Sequence, residues 1–159
     1  MSDTYREVKI EGADRLVAKL NQIAGSLRGQ VARESVHAGG LQVQNNARLN
    51  IHKTFSRHQT GGLANSIQTT SRNVGDGGEA EVSVNKVYAR IQELGGTIIP
   101  KKADGWLVWR NPDTGQVCRA RSVTLPPRPY LTPAINEHQS DVLTAMEKVI
   151  DAYLVTQGE

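Results

Sequence analysis

Apolar residues recur at helical spacing in three segments of the chain. The first segment covers residues 16–27 and is expected to end at Gly25 and Gly29. The second covers residues 30–51. The third begins at Thr132 and Pro133, where a hydroxyl that can cap a helix precedes a proline in the first turn, and continues to residue 154. This pattern predicts three amphipathic helices.

The second predicted helix has an unusual apolar face, because most of its residues are small. Two adjacent glycines inside a helix cost about 1 kcal/mol each relative to alanine, so a compensating reason is expected. That reason is either a kink or the close approach of another backbone. The face continues through the glycine pair, and we therefore favour close packing. It consists of Ala32, Val36, Gly39 or Gly40, Val43, Ala47 and Ile51.

Alternating apolar and polar residues predict one strand before the first helix and a block of strands before the last. The order βαα-ββ-(α)-βββ-α predicts an α+β fold, in which a mostly antiparallel sheet packs against two or three helices. A chain of 159 residues is expected to form one domain over residues 1–159. The predicted strands cover residues 5–11, 63–73, 79–85, 97–100, 106–110 and 117–125, with turns at 76–78 and 111–115 and a short helix over 87–94 that ends at Gly95 and Gly96.

Charge is distributed unevenly along the chain, although the formal net charge is only +3. Residues 35–75 contain no acidic residue, and between residues 105 and 136 Asp113 is the only acid beside four arginines. The final segment, residues 137–159, has the opposite sign of charge, since it contains five acidic residues and one lysine. A basic middle and an acidic end suit head-to-tail self-association or a basic surface near nucleic acid. The alternative is that these charged segments are ordinary solvent-exposed faces.

The residues that usually carry chemistry do not form a recognisable site. His52 and His58 have no nearby Cys, Asp or Glu, whereas zinc needs three or four suitable ligands. Ser56 lies near His58 without an acidic partner, and Cys118 has no obvious base. We therefore expect no catalytic residue, no metal and no cofactor. A small enzyme that uses His52, Ser56 or His58 is kept as an alternative.

Several basic and aromatic residues are candidates for a DNA-facing or interface surface. Trp106 and Trp109 lie three apart on a predicted strand, so one is expected in the core and the other near a surface. A strand that is buried on both faces is the alternative. The candidate surface residues are Arg48, Lys53, Arg57, His58, Lys101, Lys102, Trp109, Arg119 and Arg121. The residues expected to shape turns are Gly61, Gly95, Gly96, Pro127, Arg128 and Pro129.

Three short blocks carry a resemblance to a known family. Residues 60–67, TGGLANSI, resemble a "TG-x-L-x-x-S-I" signature, and residues 88–97, YARIQELGGT, resemble a "Y-A-x-x-x-E-x-G" block. Residues 127–134, PRPYLTPA, resemble an "A-R-P-F-L-x-P-A" block in the same order. Together they are similar to the tail-completion and head–tail joining proteins of lambda-like phages and prophages. The stretches Gly-Gly-Thr-Ile and Lys-Lys-Ala are also similar to Mu-like virion-morphogenesis proteins.

The resemblance implies a structural virion protein without a reaction. Copies would form a ring, a hexamer, where the tail meets the head, and would contact neck or connector proteins and tail-tube proteins. Genome DNA would pass through the junction, so non-specific DNA contact is expected. Assembly in the host bacterial cytoplasm fits the absence of a stretch of roughly 20 apolar residues, and no membrane partner is expected. The alternative is a DNA-binding or DNA-packaging accessory protein without catalytic activity.

Overall fold

A computed structural model describes residues 13–55 and 61–158 of the chain. The predicted strand over residues 5–11 lies outside these ranges. In the described part, no helix is long and apolar enough to cross a lipid bilayer. The elements are α1 (Ala13–Ser26), α2 (Ala32–Thr54), β1 (Ile67–Val74), β2 (Gly77–Val84), α3 (Ala89–Leu94), β3 (Gly96–Ile98), β4 (Leu107–Arg110), β5 (Val117–Ala120), β6 (Val123–Leu125), α4 (Leu131–Asn136) and α5 (Gln139–Gly158).

The predicted break between the first two helices is wrong. A π-helical segment, Leu27–Val31, joins α1 directly to α2, so the chain stays helical from residue 13 to residue 54. A glycine ends a helix when it adopts positive φ, and neither Gly25 nor Gly29 does so. The free-energy cost of these glycines is therefore too small to end the helix.

Close packing at the glycine pair of α2 is confirmed. A Cβ added to Gly39 would lie 2.9 Å from Cγ of Met146 on α5, and one added to Gly40 would lie 2.6 Å from Cγ2 of Thr69 on β1. The two glycines thus allow α2 to approach a helix with one side and a hairpin with the other. Ser35, one turn earlier, donates its hydroxyl to the backbone oxygen of Met146 at 3.3 Å.

The first predicted hairpin is confirmed, with a turn shifted by one or two residues. Strands β1 and β2 pair antiparallel from Ile67 opposite Val84 to Val74 opposite Gly77. The turn is therefore at residues 75–76, where Gly75 has φ of +55°. A Cβ on Gly78 would lie 2.7 Å from the backbone oxygen of Ala32, so the hairpin rests directly on the start of α2.

The small core lies between α2, the first hairpin and the start of the C-terminal helices. The α+β class is confirmed, and the strand pairs among the described residues are all antiparallel. The described strands form three two-stranded sheets, however, and not one continuous sheet. Seven buried side chains form the central cluster: Val43, Ala47, Ile51, Ala64, Ile67, Tyr130 and Ala134.

Residues 96–125 form a long double hairpin, which we call the arm. Strand β3 pairs with β6, with Gly96 opposite Leu125, and β4 pairs with β5 further out, with Trp109 opposite Cys118. The predicted return strand over residues 117–125 is thus interrupted between β5 and β6. Strands β4 and β5 pack mainly on each other and contribute nothing to the core cluster.

The two tryptophans of the arm show the consequence of this arrangement. Trp106 is 49% exposed and Trp109 is 42% exposed. The prediction that one of them belongs to the core is therefore wrong. Alternation correctly places them on opposite faces of the strand, but the described chain places no core against either face.

Candidate assembly surfaces

Glu93 joins two parts of the chain that are far apart in sequence. Its Oε2 accepts hydrogen bonds from the backbone N–H groups of Tyr130 and Leu131, at 2.8 and 3.0 Å. Its Oε1 accepts from the backbone N–H of Thr132 at 2.9 Å and from the hydroxyl of Thr132 at 2.7 Å. These groups lie at the start of α4, so a carboxylate from α3 caps that helix. The predicted cap role of Thr132 is wrong, because Thr132 lies inside the helix and donates to Glu93.

The electrostatics of Glu93 follow from these contacts. Partial burial by itself raises the pKa of this carboxyl, but the hydrogen bonds from Tyr130, Leu131 and Thr132 outweigh it and hold the pKa below its ordinary value. Burial, together with the charge of Glu93 and the nearby Tyr88, raises the pKa of Tyr130 to about 12. The junction therefore favours an ionised Glu93 beside a neutral Tyr130.

The turn residues of the second and third blocks complete this junction. Gly95 has φ of +70°, and a Cβ there would lie 2.7 Å from the backbone nitrogen of Pro127. The backbone N–H of Arg128 donates to the backbone oxygen of Gln92 at 2.8 Å. The guanidinium of Arg128 lies over the ring of Phe55, 5.6 Å from its centroid. Gly95 thus lets the two blocks meet backbone to backbone.

The junction also reaches the core through α2. Asn50 donates its amide to the backbone oxygen of Tyr130 at 3.1 Å, and the side chain of Tyr130 is only 2% exposed. The first block is held similarly, since Arg48 donates to the backbone oxygens of Ala64 and Ile67 at 3.2 and 3.3 Å. Gly61 has φ of +70° and accepts from the N–H of Asn65 at 2.9 Å. The first and third blocks therefore contact α2 directly, and the second block is joined to α2 through the third.

The arm presents one face that is both basic and apolar, which we call the arm face. It consists of the side chains that alternate onto one side of β4, β5 and the residues beside them. The guanidinium carbons of Arg119 and Arg121 lie 5.3 and 4.4 Å from the centre of the Trp106 ring. Six exposed residues form the arm face: Trp106, Val108, Arg110, Val117, Arg119 and Arg121.

Helix α5 presents an exposed face of the opposite sign, which we call the helix face. Its inner side packs on α2, where Val142 and Met146 lie against Gly39. Residues spaced by three or four share one stripe of a helix. On the outer side this spacing places Leu143, Glu147, Asp151 and Leu154 on one exposed stripe, and the exposed Lys148 and Val155 border it.

A comparison with protein families matches residues 14–95, just over half of the chain. The family is HK97-gp10-like and is described as "Bacteriophage HK97-gp10, putative tail-component". The chain belongs to this family of phage tail components. The match contains the first two blocks up to Gly95, whereas the block at residues 127–134 lies beyond it. No curated protein and no solved structure matches the chain significantly.

Membership gives this tail component a structural role in the virion of a phage or prophage. The finer resemblance to lambda-like completion proteins or Mu-like proteins stays a prediction. Within the described ranges, no group of three or more His, Cys, Asp or Glu side chains could hold a metal ion. His52 is exposed near the end of α2, whereas Ser56 and His58 lie outside the described residues.

The candidate surface residues of the tail component fall into separate groups. Lys53 is exposed on the last turn of α2, and Lys101 and Lys102 are exposed at a bend of the arm. Arg57 and His58 lie outside the described residues.

On the arm, Arg119 and Arg121 share a face with Trp106, whereas Trp109 lies on the other face beside Cys118. The sequence prediction selected Trp109 and not Trp106 for this surface, and it did not include the stripe of α5. The period of two over residues 106–110 and 117–121 could have revealed Trp106.

The predicted turn residues have clearer positions. Gly61, Gly95 and Gly96 all have positive φ. Pro127, Arg128 and Pro129 are exposed and lead the chain from the arm into α4. In the tail component these residues thus set the path between the arm and the capped helix.

Proposed function

We propose that this tail component completes the phage tail and joins it to the head–neck by forming a ring of identical copies. The arm supports the proposal best. Its apolar residues Trp106, Val108 and Val117 are exposed, and β4 and β5 lie apart from the core cluster. Exposed apolar side chains grouped on one face mark an interaction surface. A structural virion protein uses such a surface to bind its neighbours.

The second support is the opposite charge of the two faces. The arm has five Lys or Arg and two Asp, whereas α5 has three acidic residues and one lysine. Two surfaces of opposite charge at different places on one chain make heterologous contacts. Such contacts form a ring when the rotation from each copy to the next leads back to the first copy. We propose a ring of six subunits, with neck and tail-tube proteins above and below it.

A deletion of the gene in the phage, complemented from a plasmid, tests this role. We expect the deletion to yield filled heads and separate tails, and complementation to restore joined particles that electron microscopy can count. Native mass spectrometry of the purified protein is expected to give a closed oligomer of six. Normal joined particles after deletion would exclude the proposed role, and an open series of oligomers would exclude the ring.

Contact with genome DNA is a separate part of the proposal. Lys53, Lys101 and Lys102 are exposed and could neutralise phosphates without reading bases. We expect weak duplex binding that decreases as salt rises. Binding that is tight, or that depends on sequence, would favour a DNA-binding accessory protein, and fluorescence anisotropy at several salt concentrations distinguishes the two outcomes.

A further inference from the structure

The arm face has a composition that restricts what it can bind. Three of its residues are apolar and three are arginines, and the two kinds alternate across the paired strands. Arginines interleaved with valines and a tryptophan match a partner that offers both carboxylates and apolar side chains. A nucleic-acid backbone offers anionic groups only. The arm face is therefore better suited to an acidic protein surface than to DNA.

The helix face has the complementary composition. Leu143, Leu154 and Val155 supply exposed apolar side chains, and Glu147 and Asp151 lie between them along the helix. The residues from 143 to 155 span about 18 Å at 1.5 Å per residue. The arm face from residue 106 to residue 110 spans about 14 Å at 3.4 Å per residue. The two faces are thus of similar length and opposite charge, and both contain exposed apolar side chains.

We propose that the arm face of one copy docks on the helix face of the next copy. The occupant is a second copy of this chain, and charge complementarity between the two faces supports this choice. Arg119 and Arg121 would face Glu147 and Asp151, while Trp106 and Val108 would cover the leucines of α5. This contact rests on the proposed ring and specifies which surfaces form it. Each copy would give an arm to one neighbour and receive an arm from the other.

Charge reversal on the full chain tests the contact. The arm variant is Arg119→Glu with Arg121→Glu, and the helix variant is Glu147→Arg with Asp151→Arg. Each reversal brings like charges together across every contact, so we expect the assembled fraction in sedimentation velocity to fall at least about tenfold. Both sites are exposed, and circular dichroism should show that each variant is folded.

A mixture of the two variants provides the decisive measurement. An acidic arm then meets a basic helix at one contact, and a basic arm meets an acidic helix at the next. We expect an equimolar mixture to recover rings in which the variants alternate, and native mass spectrometry to show equal numbers of each. Matched controls reverse the same number of charges elsewhere, with Lys86→Glu and Arg90→Glu or with Glu34→Arg and Glu81→Arg. These controls should assemble as the wild type does.

The outcomes separate this contact from the ring itself. Rings that persist in both variants overturn the contact and leave the proposed ring intact. Variants that lose assembly but do not recover on mixing also overturn it, because their defect does not arise from paired charges. A wild-type chain that remains monomeric in solution and in purified tails overturns both proposals. If the arm variant binds another tail protein less tightly and self-associates normally, the arm faces that protein and the contact is wrong.

Discussion

Glu93 offers a sharp test of how the fold is held together. Its carboxylate accepts three backbone N–H groups and one hydroxyl, all between 2.7 and 3.0 Å. The change Glu93→Ala leaves these donors without this acceptor at the start of α4. Loss of a cap costs about 0.5–2 kcal/mol, and a hydrogen bond to a charged group contributes about 1.5–3 kcal/mol. Glu93 is partly exposed, so water can replace some of these bonds, and we expect a loss of about 2–3 kcal/mol.

Thermal unfolding followed by circular dichroism measures this loss. For a chain of this size 1 kcal/mol corresponds to a change of about 2–4 °C in Tm, so we expect Tm to fall by about 4–12 °C. The Tm of Glu93→Gln should lie between those of the wild type and Glu93→Ala. An amide offers only one acceptor oxygen, and its NH₂ group would point towards two of the donors. Glu137→Ala is the matched control, since it removes an exposed carboxylate at the end of α4.

The pH dependence tests the charge of Glu93 separately from its shape. A carboxyl whose pKa is lowered in the folded state stabilises the protein above its ordinary pKa of 4.5. That stabilisation is lost as pH falls through the folded value. The difference in unfolding free energy between the wild type and Glu93→Gln should therefore be largest near neutral pH and shrink below pH 4.5. A difference that does not change with pH, or a Tm loss no larger than that of Glu137→Ala, would refute this reasoning.

Three further predictions concern packing, ionisation and the first block. Gly40→Ala should destabilise the protein by about 1–3 kcal/mol, since its Cβ would meet Thr69 at 2.6 Å. At Gly25 an added Cβ would meet no atom within 4 Å beyond its chain neighbours and its own helix backbone, so Gly25→Ala should be neutral or stabilise by up to about 1 kcal/mol in urea unfolding. A pKa of about 12 means that Tyr130 keeps its proton in the folded state between pH 10 and 12, so the free energy of unfolding should fall as pH rises through that range. Tyr130→Phe should remove this part of the fall. Absorbance at 295 nm should show the ionisation of Tyr130 only after unfolding. Arg48→Met should lower Tm, because the backbone oxygens at residues 64 and 67 lose the hydrogen bonds that the Arg48 guanidinium donates, and an unchanged Tm would exclude that role.

The periodicity of the sequence determined most of the secondary structure. Helical spacing over residues 30–51 and alternation over residues 79–85 depend on neighbours along the chain, and the structure has a helix and a strand there. The adjacent glycines Gly39 and Gly40 also indicated a close approach, because their free-energy cost within a helix needs a compensating contact. The resemblance to phage tail proteins was read directly from short blocks, and the family match over residues 14–95 contains the first two of them up to Gly95.

Only the tertiary structure decided what lies against each of these elements. Glu93 and Thr132 are 39 residues apart, and no local pattern indicates that one caps the helix containing the other. The pairing of β3 with β6 around an inserted hairpin likewise joins strands that are not consecutive. Alternation placed Trp106 and Trp109 on opposite faces, but burial depends on whether another element covers a face. A sequence determines which side chains share a surface, whereas the packing of distant segments determines whether that surface is core or interface.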